Sequence, residues 1–145
     1  MKLFECGIRY DKTMDDGTCR RVTELYIVDA LSFTEAEKRI SKEMEQYISE
    51  FEVVSEKITN YTELVRNAGD GGKWYKVKNN LVSLDEKTGK EKKMPVYLLV
   101  EAKDIDDARA TLKNFMKGTI SDWQCESIQE TKILDVFTFD VTSAQ

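Results

Sequence analysis

From Phe4 the chain alternates, with Phe4, Cys6, Ile8 and Tyr10 on one face and Glu5, Gly7 and Arg9 on the other. A period of two marks a strand with one buried side. Asp15-Asp16-Gly17 supplies a turn, because aspartate tolerates and glycine favours positive φ, and a returning strand is expected from about Arg20 into Val28. At Ser32 the period changes. Phe33, Ala36, Ile40, Met44 and Tyr47 recur at spacings of three and four, which lays an apolar stripe along a helix. Ser32 with Glu35 fits a capping box, in which a hydroxyl and a carboxylate satisfy orphan backbone N–H groups at the helix start. A strand over Phe51 to Thr59 and a short apolar piece, Tyr61 to Val65, follow.

The same order then recurs at an offset of 72 residues. Tyr75, Val77 and Leu81 alternate with Lys76, Lys78 and Asn80. Asp85-Glu86-Lys87-Thr88-Gly89 turns, and Val96, Leu98 and Val100 return. Asp104 and Asp107 take the capping places of Ser32 and Glu35, and Ile105, Ala108, Leu112 and Phe115 make the helix stripe. Trp123 to Thr131 and Ile133 to Phe137 close the second copy, and Phe139 and Val141 prolong its alternation. Laid over each other without a gap, Gly17 to Val65 and Gly89 to Phe137 share Gly17, Val28, Ala30, Ala36, Met44, Ile48, Ser49, Ser55 and Thr59. The only proline, Pro95, falls in a returning strand and lacks a ladder donor, so an edge or a bulge is expected there.

The expected fold is therefore α+β. Two tandem hairpin-helix-strand (ββαβ) repeats, 3–66 and 73–139, are joined by a glycine-rich linker, 67–72, in a single domain spanning 1–145. Each repeat holds only about 70 residues, near the lower limit for a comfortable core. The halves are accordingly expected to share a core or a sheet, with antiparallel sheets packed on two helices about a pseudo-twofold axis.

Composition narrows the function mostly by exclusion. Hydrophobic residues make up 41% and charged residues 34%, as in an ordinary globule. No apolar run is long enough to span a membrane, and the first residues do not form a secretion signal, so a cytoplasmic protein is expected. There is no histidine, which removes His-assisted serine or cysteine catalysis and the common zinc sites. Cys6, Cys19 and Cys125 are widely spaced and form no Cys-x-x-Cys pair. By position in the repeat, Cys6 matches Val77 and Cys125 matches Val53, so both read as core residues, while Cys19 matches Glu91 and reads as exposed. Asp104, Asp106 and Asp107 form the nearest carboxylate cluster, in the first turn of an expected helix, where acids cap amides and complement the dipole. Gly69-Asp70-Gly71-Gly72-Lys73 lacks the serine or threonine and the following helix of a phosphate loop. No catalytic residue, metal site or cofactor is expected.

Charge distribution is the one feature with functional pull. The net charge is -5, yet Lys73 to Lys93 holds seven lysines against Asp85, Glu86 and Glu91. Lys76 and Lys78 would leave one face of the strand that begins at Trp74, with Lys90, Lys92 and Lys93 on its partner. Lysines among aromatic rings on a sheet hold single-stranded nucleic acid, phosphates on the cations and bases on the rings. Lys73, Trp74, Lys76, Lys78, Lys90, Lys92 and Lys93 are thus the candidate nucleic-acid-binding residues. The competing account is that the lysines protect the edge of an exposed hairpin.

Phe4-Glu5-Cys6, Val28-Asp29-Ala30-Leu31-Ser32-Phe33-Thr34-Glu35-Ala36-Glu37, Leu84 to Lys92, Met116-Lys117-Gly118-Thr119 and Asp135-Val136-Phe137 together resemble an uncharacterised family of gut anaerobes and their phages, domain of unknown function forty-four ninety-four. The resemblance covers nearly the whole chain. Members often carry tryptophan where Leu3 stands here, matching Trp74 of the second copy. The family transfers no activity and no site. It implies a phage or mobile-element context, in which small accessory proteins that bind nucleic acid or host proteins are frequent. The expected function is a non-enzymatic binding protein for single-stranded nucleic acid. The alternative is a protein-interaction or accessory module whose hairpin arms or sheet edges dock a host or phage protein or a second copy.

Overall fold

The computed structural model describes residues 2–67 and 72–138. Along the chain run β1 (Lys2–Thr13), β2 (Cys19–Ala30), α1 (Phe33–Met44), β3 (Glu52–Ile58), β4 (Tyr61–Val65), β5 (Lys73–Leu84), β6 (Glu91–Ala102), α2 (Ile105–Phe115), β7 (Asp122–Glu130) and β8 (Ile133–Phe137). The class is α+β, as the periodicity predicts. Residues 68–71 of the expected linker 67–72, and Phe139 and Val141 of the expected strand extension, lie outside the described residues. Among the described residues no helix is long and apolar enough to cross a membrane.

Two four-stranded sheets form, in the orders β3-β1-β2-β8 and β4-β6-β5-β7. Read from the third strand of each half, the orders match: third strand, first, second, then a borrowed strand. The borrowing is reciprocal. β4 joins β6 in parallel, Tyr61 opposite Tyr97 and Val65 opposite Val100. β8 joins β2 in parallel, Leu25 opposite Ile133 and Val28 opposite Phe137. One compact unit thus takes the chain up to Thr59 and resumes at Lys132, and the other is Asn60–Thr131. The repeats read from sequence, 3–66 and 73–139, differ from these units by the two five-residue strands that change sheets.

In the first unit Phe4, Cys6 and Ile8 point from β1, and Val28 and Ala30 from β2, onto Ala36, Ile40 and Met44 of α1. The second unit repeats the arrangement with Val77, Leu98 and Val100 under Leu112 and Met116, and with Tyr75 and Ala102 against Ala108. Each fully buried large aliphatic side chain contributes about 1.5–3 kcal/mol. The helix stripes are narrower than their spacing suggests. Tyr47 lies beyond the end of α1 and is 70% exposed, while Phe33 only edges against Phe4, ring centroids 5.1 Å apart.

Both caps form. Ser32 Oγ accepts the Glu35 N–H at 3.1 Å, and Asp104 Oδ1 accepts the Asp107 N–H at 2.8 Å. The Asp107 carboxylate accepts the Lys103 N–H at 2.9 Å and the Asn67 side-chain amide at 3.0 Å, which ties α2 to the end of β4. Gly17 (φ 87°) and Gly89 (φ 69°) hold the positive φ that the two hairpin turns require. Pro95 stands opposite Asn80 on β6, before β4 joins that strand at Tyr97. It sits where an inner strand is locally an edge.

Candidate nucleic-acid interface

Residues opposite each other in an antiparallel ladder share a face, and faces alternate along a strand. On β5, Tyr75, Val77 and Leu81 face the core under α2. Trp74, Lys76, Lys78 and Val82 therefore occupy the other face. Their partners across β6 are Glu101, Leu99, Tyr97 and Lys93.

That other face is not open at its start. Trp74 and Tyr75 are each 1% exposed and Leu99 is wholly buried. The Arg66 guanidinium lies 5.7 Å from the centre of the Trp74 ring. The Trp74 carbonyl accepts both the N–H and the hydroxyl of Thr131, at 2.9 and 2.7 Å. Trp74, expected from the sequence to offer a ring to a base, is instead a core residue, and the stacking role is corrected accordingly. The reason is that the strand is buried on both faces here, so successive rings, Trp74 and Tyr75, both disappear from the surface.

Three of the six candidate lysines also make contacts within the protein. Lys73 approaches Glu130 at 3.5 Å, and Lys78 pairs with Glu126 at 2.7 Å. The bond to Glu126 raises the Lys78 ammonium above its ordinary value. It also holds the Glu126 carboxyl below its own, helped by the amide of Asn80 at 3.2 Å. Lys76 places its ammonium 5.3 Å from the centre of the Tyr97 ring.

Lys90 and Lys92 lie farther out, on the arm where β5 and β6 run past their neighbours, and Lys93 stands at its base, opposite Val82 and near enough to Glu126 to help lower that carboxyl. β7 accompanies β5 only as far as Val82, opposite Asp122, and β4 meets β6 no nearer the tip than Tyr97. Among the described residues no ion pair involves Lys87, Lys90, Lys92 or Lys93. The structure thus separates the candidates into an inner group already engaged by the protein and an outer group facing solvent. Lys87, at the turn, belongs with the outer group. Glu126, which neutralises Lys78, could not be located from sequence because it occupies a β-bulge, between the Lys78–Ser127 and Asn79–Cys125 pairs.

Other chemistry is sparse. Cys6 is buried and its thiol is pushed up to about 12, by burial first and then by Glu56. Cys125 is half-buried, with its thiol raised by burial, while Cys19 is exposed. A groove of about 570 Å³ runs between the end of β4 and α2, lined by Asn67, Asp107, Thr111, Asn114 and Phe115. Its one carboxylate, Asp107, already accepts two N–H groups. Among the described residues no group of three or more acids and cysteines is placed to hold a metal ion.

No curated protein and no solved structure matches the chain. A family match does exist, described as "Domain of unknown function (DUF4494)", and it spans residues 2–139. Covering nearly the whole chain, it agrees with the resemblance carried by the cap, turn and strand motifs, and the chain belongs to this family.

Proposed function

We propose that the protein is a non-enzymatic nucleic-acid-binding protein that contacts the phosphate backbone through the outer part of the β5–β6 arm. One observation carries the reading: Lys87, Lys90, Lys92 and Lys93 cluster on a projecting hairpin without ion-pair partners among the described residues, whereas Lys73 and Lys78 are paired. Cations left unpaired on a ribbon release counterions when they meet phosphates, which favours binding at low salt. Burial of Trp74 and Tyr75 removes the ring platform, so phosphate contact rather than base stacking supports the proposal. The lack of histidine and the raised Cys6 thiol support a protein without catalytic chemistry.

A low-salt gel shift with the full chain tests this. Binding should weaken in Lys90→Gln/Lys92→Gln/Lys93→Gln and fall steeply as salt rises. No retention of any probe at low salt, or retention unchanged in that variant, overturns it. A second reading, docking of a protein partner or a second copy on the same arm, is favoured by Leu84 and Met94, which are 70% and 57% exposed there. A solution mass above that of one chain, lost in Leu84→Ser/Met94→Ser, would support it.

A further inference from the structure

We infer that the nucleic acid held by the arm is double-stranded, with the ribbon entering a groove and presenting one lysine to each flanking backbone; this rests on the nucleic-acid reading above. Lys92 stands opposite Ser83, and Lys93 stands opposite Val82. Adjacent residues on a strand leave opposite faces, so these two ammonium groups depart from opposite sides of the ribbon. Lys92 shares its side with Leu81, which packs toward α2, and Lys93 lies on the face of Lys76 and Lys78. A single strand laid along either face would meet only one of the pair. A duplex groove has a phosphate wall on both sides, and the major groove admits a two-stranded ribbon.

The dimensions and the composition agree. Beyond the last β7 pairing at Val82, the residues Ser83 and Leu84 extend the ribbon by about 7 Å before the turn, comparable with a major-groove depth of about 8.5 Å, with Lys92 on this stretch and Lys93 level with its base. Lys87 and Lys90 sit at the turn, where the Asp85 carboxylate is occupied by the Lys87 N–H at 2.9 Å. No aromatic residue lies between Leu81 and Pro95, so the arm has nothing on which unpaired bases could stack. The β1–β2 arm supplies a contrast inside the same molecule. There Arg21 pairs with Asp11 at 3.3 Å and Lys12 approaches Glu24 at 3.8 Å, and although each turn carries two acids, Asp15 and Asp16 or Asp85 and Glu86, only the β5–β6 turn carries lysines.

The test is fluorescence anisotropy of the full chain at low salt with one labelled oligonucleotide, single-stranded and annealed to its complement. The duplex should bind at least about threefold more tightly than the single strand. Lys92→Gln and Lys93→Gln should each weaken duplex binding by about threefold to tenfold and each lower the salt slope by about 1, while Arg21→Gln stays within about twofold of the unmodified chain. Lys92→Arg/Lys93→Arg, which keeps the charges, should retain duplex binding, separating loss of charge from loss of fold. Equal or tighter binding of the single strand overturns the inference and leaves the broader reading standing. Dependence on only one of the two lysines, or failure of the arginine variant, also overturns it. Absence of binding to either probe removes both readings.

Discussion

Lys78 holds its ammonium 2.7 Å from the Glu126 carboxylate, and Glu126 reaches it from a bulge that sets it outside the regular β5–β7 register. The pair withdraws one lysine from the basic hairpin and leaves the outer ones exposed. Because the folded state holds the Glu126 carboxyl below its ordinary value, the pair stabilises the fold above the ordinary glutamate range. That stabilisation is lost as pH falls through the depressed value. Glu126→Gln should therefore lower the melting temperature slightly at neutral pH and not at strongly acid pH. Paired thermal melts at the two pH values check it, and a difference that grows on acidification would contradict the assignment.

Asn79 occupies on β5 the position that Ile8 holds on β1. Both side chains are fully buried, and among the described residues the amide of Asn79 has no hydrogen-bond partner for either polar atom. An unsatisfied buried amide costs about 1–3 kcal/mol. Asn79→Val should stabilise the protein by about that amount, less any overpacking, and raise the urea midpoint without changing the slope. A lowered midpoint would show that the amide is satisfied in solution.

The two helix caps act on separate helices in separate units. Ser32→Ala and Asp104→Ala should each destabilise by about 1 kcal/mol, and Asp104→Asn by much less, since asparagine also caps. The losses should add in the double variant, because the two sites share no partner. Chemical denaturation of the four variants beside the unmodified chain measures all of this, and a loss under about 0.3 kcal/mol at either site would mean that the cap is not formed.

The three thiols should separate cleanly by reactivity. Cys19 is exposed, Cys125 is half-buried and Cys6 is buried with its thiol pushed up to about 12. Since the thiolate is the reactive form, native protein should react rapidly at one thiol, slowly at a second, and at Cys6 only after unfolding. Mass spectrometry after timed alkylation resolves the order, and early labelling of Cys6 would contradict the first core.

What the sequence disclosed was local. Ser32 and Asp104 declare their helices within four residues, and Gly17 and Gly89 mark the hairpins, because caps and turns are decided by neighbours along the chain. The destination of β4 and β8 was not legible: a five-residue apolar strand fits any open sheet edge, and nothing in Tyr61–Val65 names β6 rather than β2. The same holds for the site. Alternation around Trp74 implies one wet face, and only the fold shows both faces covered there. Lys78 offered no sign of its partner either, since Glu126 reaches it across 48 positions of sequence through a register irregularity.

The crossed placement of β4 and β8 gives synthesis a fixed order. When β4 has left the ribosome, β2 still has a bare flank, and the strand that will cover it is made only after β5, β6, α2 and β7. The second sheet has its guest waiting in advance; the first must wait until Ile133–Phe137 has been made. A chain cut short before Ile133 would therefore carry an open β2 ladder, a ready template for pairing with other copies and for aggregation.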